Sequence, residues 1–457
     1  MRRSSSAIRR LRKYALALAA STSVQLGVVP VAGAAEAAGT PGSPRTPVQI
    51  AHDHAASRPT KAAWTLPALV AQALARSPAI AAKEAAVAAA SPRRILAGAW
   101  PEPMFSSGFK NMGLLPSLGR DEGTELRVGI AQTVPFPGKT TLRSEAADAA
   151  VARARADLEQ ARRDIVKRVK EAWFDLYGTQ RELQINAETR LLLDRTADVA
   201  LARYRLGRVG QMDVLRAELE AARTIDEHAM LEAREQSLHG ALAGLVGLSV
   251  PDAHFGTVAT PDLQVLSVTA DQLAERIKDR APALTAAAHD IARADRTAEL
   301  AKLDVLPDFT LMGQLMNRGA MPGGWEVSAS VDLPMFYGQK QAQMVAESAA
   351  MAEEARRDRD RMASEMVAMA REELAMARSA ATRETLLRTT LLPRARSALQ
   401  AGLAGYGAGT EDFASLTMAV MAIRNFQREH AAALVAGNKS LARLEALVGE
   451  MTPGGLK

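Results

Sequence analysis

The 457-residue chain contains no cysteine. A disulfide framework, a thiolate metal site and a lipid-modified N-terminal cysteine are therefore excluded. Aromatic residues make up only 4% of the chain, against 48% hydrophobic residues in all, and much of that total is alanine. Few large side chains are available for a thick globular core. Alanine-rich, charge-laced sequence suits long, closely packed helices instead. After the N-terminal region no apolar run reaches the ~18 residues of a membrane span, so no transmembrane helix is expected. Catalytic constellations are missing too. There is no cysteine nucleophile, no glycine-rich phosphate loop after a strand and no paired-histidine motif on a helix. Neither enzyme activity nor a resident metal or cofactor is expected. His52-Asp53-His54 could chelate a metal only weakly.

A lasting excess of one charge sign is also absent. The chain has 57 Lys+Arg against 51 Asp+Glu, a formal net charge of +6. Arg2, Arg3, Arg9, Arg10, Arg12 and Lys13 account for that whole excess, and no acid precedes Glu36. The chain beyond residue 13 is neutral in sum, which argues against a nucleic-acid partner. The basic start, the mostly apolar Tyr14–Val29 and the small residues Ala32-Gly33-Ala34 read as a signal peptide, cut near Ala34 or Ala35. The alternative is a disordered basic arm in a cytosolic protein. Residues 36–63 are small, polar and proline-rich, and read as a disordered lead-in.

What the chain does contain is itself, twice. Arg76-Ser77-Pro78-Ala79 matches Arg280-Ala281-Pro282-Ala283, and Trp100-Pro101-Glu102 matches Leu306-Pro307-Asp308. Val134-Pro135-Phe136 with Gly138 matches Leu333-Pro334-Met335 with Gly338. Tyr204 and Gly207 match Tyr406 and Gly409, and Leu245-Val246-Gly247 matches Leu447-Val448-Gly449. The order is kept at nearly constant spacing, so the chain is a duplication. Each copy reads as a helix (about 66–97 and 270–304), a strand pair, a long helical rod (about 139–205 and 340–404), a glycine turn and a returning helix (about 213–246 and 413–448).

The second strand of each pair alternates. Leu126, Val128, Ile130 and Val134 share one face, with Glu125, Arg127 and Thr133 on the other. Trp325, Val327, Ala329, Val331 and Leu333 share a face opposite Glu326, Ser328, Ser330 and Asp332. Period-2 alternation of this length fits a strand with lipid on one side and water on the other, or a sandwich strand with one buried face. If the strands lie in lipid, their sheet must close to satisfy its edge amides. Four strands are too few, since the smallest such barrels have ~8, so several chains would share one barrel.

A rod of sixty-odd residues spans roughly 100 Å at ~1.5 Å per residue. Ile165, Val169, Ala172, Leu176 and Leu183 recur at 3–4 spacing like a coiled-coil seam, as do Met362, Met366, Met369 and Met376. The methionines read as seam packing rather than as a soft-metal ladder. Gly207, Gly210 and Gly409 suit tight turns, and Asp213, with Thr410 or Asp412, suits the N-caps of the returning helices. Pro393 falls inside the second rod and is expected to kink it. Its kink either lets the inner hairpin bend or is a tolerated structural bend.

This plan, with the turns Tyr204–Leu215 and Tyr406–Asp412, resembles the TolC-type outer-membrane efflux factors over residues 64–449. The resemblance implies a mainly α protomer with a membrane β-barrel, in a homotrimer. Each protomer would give four strands to a twelve-stranded barrel in outer-membrane lipid. The long helices would form an α-helical tunnel across the periplasm of a Gram-negative cell. Such a protein is the exit duct of a tripartite pump, with a periplasmic adaptor and an inner-membrane RND-type transporter as partners. Gly207, Gly210, Asp213, Gly409 and Thr410 would form the tip that docks the adaptor. Pro103-Met104 leading to Gly113-Leu114-Leu115-Pro116, Val134–Lys139, and Met316-Asn317-Arg318 with Met321-Pro322 look like the heavy-metal branch, favouring metal cations over drugs. Relatives that close the tip with aspartates do so at positions occupied here by about Ser415 and Met418, so that gate does not carry over. Glu411 and Asp412 stand just before them as candidate acidic rings at the pore mouth, or as solvated turn acids.

The chain therefore divides into a signal peptide (1–35), the lead-in (36–63), a first repeat (64–247), a connector (248–268), a second repeat (269–449) and a tail (450–457). The strand pairs fall at 102–136 and 307–336, and the helical hairpins at 139–246 and 340–448. The competing reading is a periplasmic adaptor or a structural interaction protein with coiled-coil hairpins. An adaptor would need one hairpin and no alternating strand pairs.

Overall fold

The computed structural model describes residues 64–449 except 113, 116, 122, 249–253, 264 and 334. The signal peptide, the lead-in with His52-Asp53-His54, the tail, and Gly113, Pro116 and Pro334 lie outside the described residues.

Each copy opens with two helices where the sequence reading had one. They are α1 (Leu66–Arg76) and α2 (Pro78–Gly98) in the first copy, and α5 (Ala270–Arg280) and α6 (Pro282–Leu303) in the second. The break lies before proline in both. Ser77 (ψ 123°) and Ala281 (ψ 121°) are held extended, because a following proline ring crowds the helical conformation. The proline then starts the next helix, where its missing N–H has no role. Thr65 caps α1 through the Ala68 amide, and Thr269 with Gln272 forms a full capping box on α5.

Two strands come next in each copy, β1 (Met104–Lys110) and β2 (Glu125–Val134), then β3 (Phe309–Arg318) and β4 (Met321–Val331). All four form one antiparallel sheet in the order β1-β2-β3-β4. The copies meet at β2 and β3, where Val128 faces Leu315 and Val134 faces Phe309. β1 and β4 are the edges.

The first rod, α3 (Lys139–Arg205), is a single helix of 67 residues, about 100 Å long. The chain turns and returns as α4 (Gln211–Val246). The second rod is not one helix. α7 (Gln341–Leu386) passes through a π-helical turn, Leu387–Leu391, into α8 (Leu392–Ala408), and α9 (Phe413–Val448) returns. The rod thus runs four residues past the expected end at 404. Pro393 is the second residue of α8 and comes after a widened turn in which the Leu392 N–H donates to the Leu387 carbonyl. The wider turn makes room for a proline that clashes with, and cannot donate to, the turn before it.

Helix α3 packs against α2 of its own copy and α6 of the other, and α9 lies against both α3 and α7. The core is a series of small clusters along this bundle. One joins Leu69, Val169, Trp173, Leu176, Leu242 and Phe255, and another joins Leu273, Ile277, Leu284, Met366, Leu374 and Leu444. The methionine stripe straddles the edge of the second cluster. Met366 is buried and Met362 packs beside it, while Met369 and Met376 are exposed. Ion pairs lock α9 onto α3: Lys439 bonds Asp175 at 2.8 Å, Arg443 bonds Glu171 at 2.6 Å, and Lys170 pairs with Glu445.

At the junction of sheet and helices Lys139 is 3% exposed. Its Nζ donates to the Leu306 carbonyl (2.7 Å) and to Asp308 (2.8 Å), and the Phe136 N–H also donates to Asp308 (2.8 Å). Burial pushes the Asp308 carboxyl up, but the Lys139 and Phe136 bonds outweigh it and hold it below its ordinary value. Stability from this clamp is full above the ordinary carboxylate range near pH ~4 and fades as pH falls through the lower folded value. Replacing Lys139 by Ala should destabilise the detergent-solubilised protein by about 1–2 kcal/mol at neutral pH, the low end because Asp308 is partly solvated. Thermal melts of wild type and variant should converge on acidification.

Candidate functional site

The sheet carries one continuous apolar face. The register places Phe105 beside Ile130, Phe109 beside Leu126, Val128 beside Leu315, Val134 beside Phe309, and Leu315 beside Trp325. All point to the same side, with Leu311, Val327 and Val331. Leu126, Val128, Ile130, Val327 and Val331 are exposed, and Trp325 is 75% exposed. The opposite face carries Lys110, Glu125, Arg127, Gln314 and Glu326. There the buried Glu125 carboxylate pairs with Arg127 and, across the join of the copies, with Arg318 at 3.5 Å. The sandwich alternative fails, because no second sheet covers the apolar face among the described residues. A patch of this size on one side of a sheet marks a contact surface for lipid or for another protein. The Met316-Asn317-Arg318 and Met321 motif builds the β3–β4 hairpin, where Asn317 accepts the Gly319 N–H at 2.8 Å.

The two glycine turns come together at the far end of the rods. Gly207 (φ 67°) and Gly409 (φ 85°) both take the left-handed conformation that ends a helix and favours glycine. Gly210 does not: it is extended (φ −80°) and stands at the N-cap of α4 without a side-chain cap. Asp213 is likewise no cap. It lies in the first turn of a helix that starts two residues earlier than expected, where a carboxylate complements the helix dipole. Asp412, not Thr410, caps α9 by accepting the Ser415 N–H at 2.8 Å. The Ser415 side chain, together with its N–H, holds the Asp412 carboxyl below its ordinary value. The Thr410 hydroxyl instead donates to the Gly405 carbonyl, and Glu411 is exposed.

The contact that binds the turns to each other was not evident from spacing. Arg203 sits 4.7 Å over the Tyr406 ring and donates to the Tyr406 carbonyl at 2.5 Å. Tyr406 is 1% exposed, meets Phe413 edge-on at 5.9 Å, and packs with Leu193, Val214, Leu416 and Val420. Its hydroxyl has no hydrogen-bond partner among the described residues, and burial together with Asp213 pushes its pKa up. Nothing in this arrangement activates a nucleophile or moves a proton. It joins two hairpins.

The sequence profile of the outer membrane efflux protein family matches residues 69–248 and 273–450, the two copies in turn. The chain belongs to this family. It is an outer-membrane efflux channel protein whose helices extend into the periplasm, not an enzyme, and the adaptor alternative is set aside. The cobalt-zinc-cadmium resistance protein CzcC of Cupriavidus metallidurans is 25% identical to it over 310 residues, covering 65% of this chain and 71% of CzcC. The fold is that of the outer-membrane channel OprN (TM-score 0.75, 20% identity, 84% of this chain and 90% of OprN). It is also that of VceC from Vibrio cholerae (0.72, 19%, 84% and 96%) and of CusC, which forms a transmembrane channel (0.73, 16%, 84% and 92%).

In this efflux protein the Tyr406 ring, not its hydroxyl, should hold the tip. Tyr406→Phe is expected to leave stability within about 0.5 kcal/mol, since the buried hydroxyl gains no bond. Tyr406→Ala should cost about 3–5 kcal/mol through the cavity it leaves. Urea titrations followed by tryptophan fluorescence distinguish these outcomes.

Proposed function

We propose that the protein is the outer-membrane exit duct of a tripartite efflux pump, passing metal cations in preference to drugs. The observation that carries this reading is the exposed apolar face of an open four-stranded sheet, mounted on helical rods. In lipid such a sheet has to close. Three copies supply twelve strands, within the range of known outer-membrane barrels. The rods then enclose a water-filled tunnel, and the turns at Gly207, Gly210, Asp213, Gly409 and Thr410 form its inner end. Those turns dock a periplasmic adaptor, which joins the duct to an RND-type transporter of the inner membrane. The likeness to CzcC supports a metal cargo.

Glu411 and Asp412 would ring the inner mouth three times each. Fixed carboxylates at a constriction favour cations over anions. Because asparagine can also accept an N-cap bond, Glu411→Gln/Asp412→Asn removes charge and keeps the turn. In planar bilayers the variant should lose cation preference, most strongly at low salt, since screening within ~3 Å at 1 M hides such charges. Unchanged selectivity at low salt would make both residues ordinary turn acids. The cargo is tested separately. A deletion strain should become sensitive to cobalt, zinc or cadmium before it becomes sensitive to drugs, and the wild-type gene should restore growth. The opposite order would overturn the metal assignment.

A further inference from the structure

The duplication is covered on one side and bare on the other. Where the first copy leaves its sheet, Pro135 and Lys139 are buried against the run-in to β3, and Lys139 clamps Asp308. The second copy leaves its sheet past residue 331, and residues 333 and 335–340 there are exposed. Met335 is 84% and Phe336 72% exposed, and Tyr337 is exposed beside them. The run-in to β1 is bare in the same way, at Leu96, Trp100 and Glu102. Lys340 follows Gly338 by two residues as Lys139 follows Gly138 by one, and Glu102 corresponds to Asp308. Neither Lys340 nor Glu102 has a side-chain hydrogen bond or ion pair among the described residues. The helices repeat the pattern. α3 packs extensively against α6 of the other copy, whereas no comparable packing of α7 on α2 is found among the described residues.

Within one chain the two bare surfaces belong to opposite edges of the sheet, so they cannot cover each other. We propose that a second copy of this chain covers them. Lys340 pairs with Glu102 of the next copy, and Phe336 and Tyr337 pack against its Trp100 and Leu96. The inference rests on the duct reading above and names the side chains that seal its seam. Charge signs agree at both positions with the clamp seen inside the chain. Within the chain β2 ends beside the start of β3, and in a closed barrel β4 would end beside the next β1 in the same way. Lys340 lies nine positions past the end of β4 and Lys139 five past the end of β2, and glutamate is one methylene longer than aspartate, so the pair has reach to spare. Each copy offers one exit and one run-in, a head-to-tail contact that closes as a ring.

The cysteine-free chain makes the seam directly testable. Glu102→Cys/Lys340→Cys, oxidised with copper phenanthroline in outer-membrane vesicles, should give covalent trimers on denaturing gels, and neither single variant should. Lys340→Glu should lower the melting temperature of the detergent-solubilised trimer, and adding Glu102→Lys should recover most of that loss. If light scattering gives a trimer but the cysteine pair does not cross-link and the double reversal recovers nothing, the seam pairing is overturned and the duct reading stands. A monomer in both membrane and detergent overturns both. Should Lys340→Glu fail to assemble, the cysteine pair decides alone.

Discussion

A backbone amide in hydrocarbon has no water to bond, and the rest of this structure answers to that constraint. The four-stranded sheet satisfies its interior N–H and C=O groups and leaves two edges open. Its apolar face forbids burial in water, and its open edges forbid it from standing alone in lipid. The barrel proposed for three copies would meet both demands. The duplication obeys the same logic. Two copies already pair edge to edge at β2 and β3, so the rule for joining one copy to the next is written once inside the protein.

The helices inherit the problem at the sheet's lower rim. A strand that ends in lipid must hand over to a helix in water within a few residues. Lys139 makes that handover rigid. Its ammonium satisfies a carbonyl and a carboxylate of the other copy where the chain is changing direction. Below this point packing is thin by design. Ala370, Ala377, Ala380 and Ala381 are buried, and small residues let the helices run close together. Interhelical ion pairs such as Lys439 with Asp175 supply orientation that so few large side chains cannot.

How much of this was legible depended on distance along the chain. The apolar strand face was readable because alternation is local, and the repeat was readable because order and spacing survive divergence. Pro78 and Pro282 were visible as repeat markers, yet the break they impose belongs to the residue before each, Ser77 and Ala281. Pro393 announced a disturbance but not its form, since a kink and a π-helical turn both accommodate proline. Asp213 fell two residues inside its helix because Gly210 can cap without a side chain. The Arg203–Tyr406 contact joins residues 203 positions apart. No periodicity reports such a pair, and only the duplicated tyrosine hinted at it.

The two ends of the rods differ in kind. At the sheet end, the join between copies is a buried lysine with charged and carbonyl partners, backed by nine paired positions of β2 and β3. At the tip, the join is Arg203, set on the Tyr406 ring and bonded to its carbonyl, with a small apolar cluster around it. Local opening starts where buried contacts are fewest. Tyr406 makes this join with its ring and its backbone carbonyl, while its hydroxyl has no hydrogen-bond partner among the described residues.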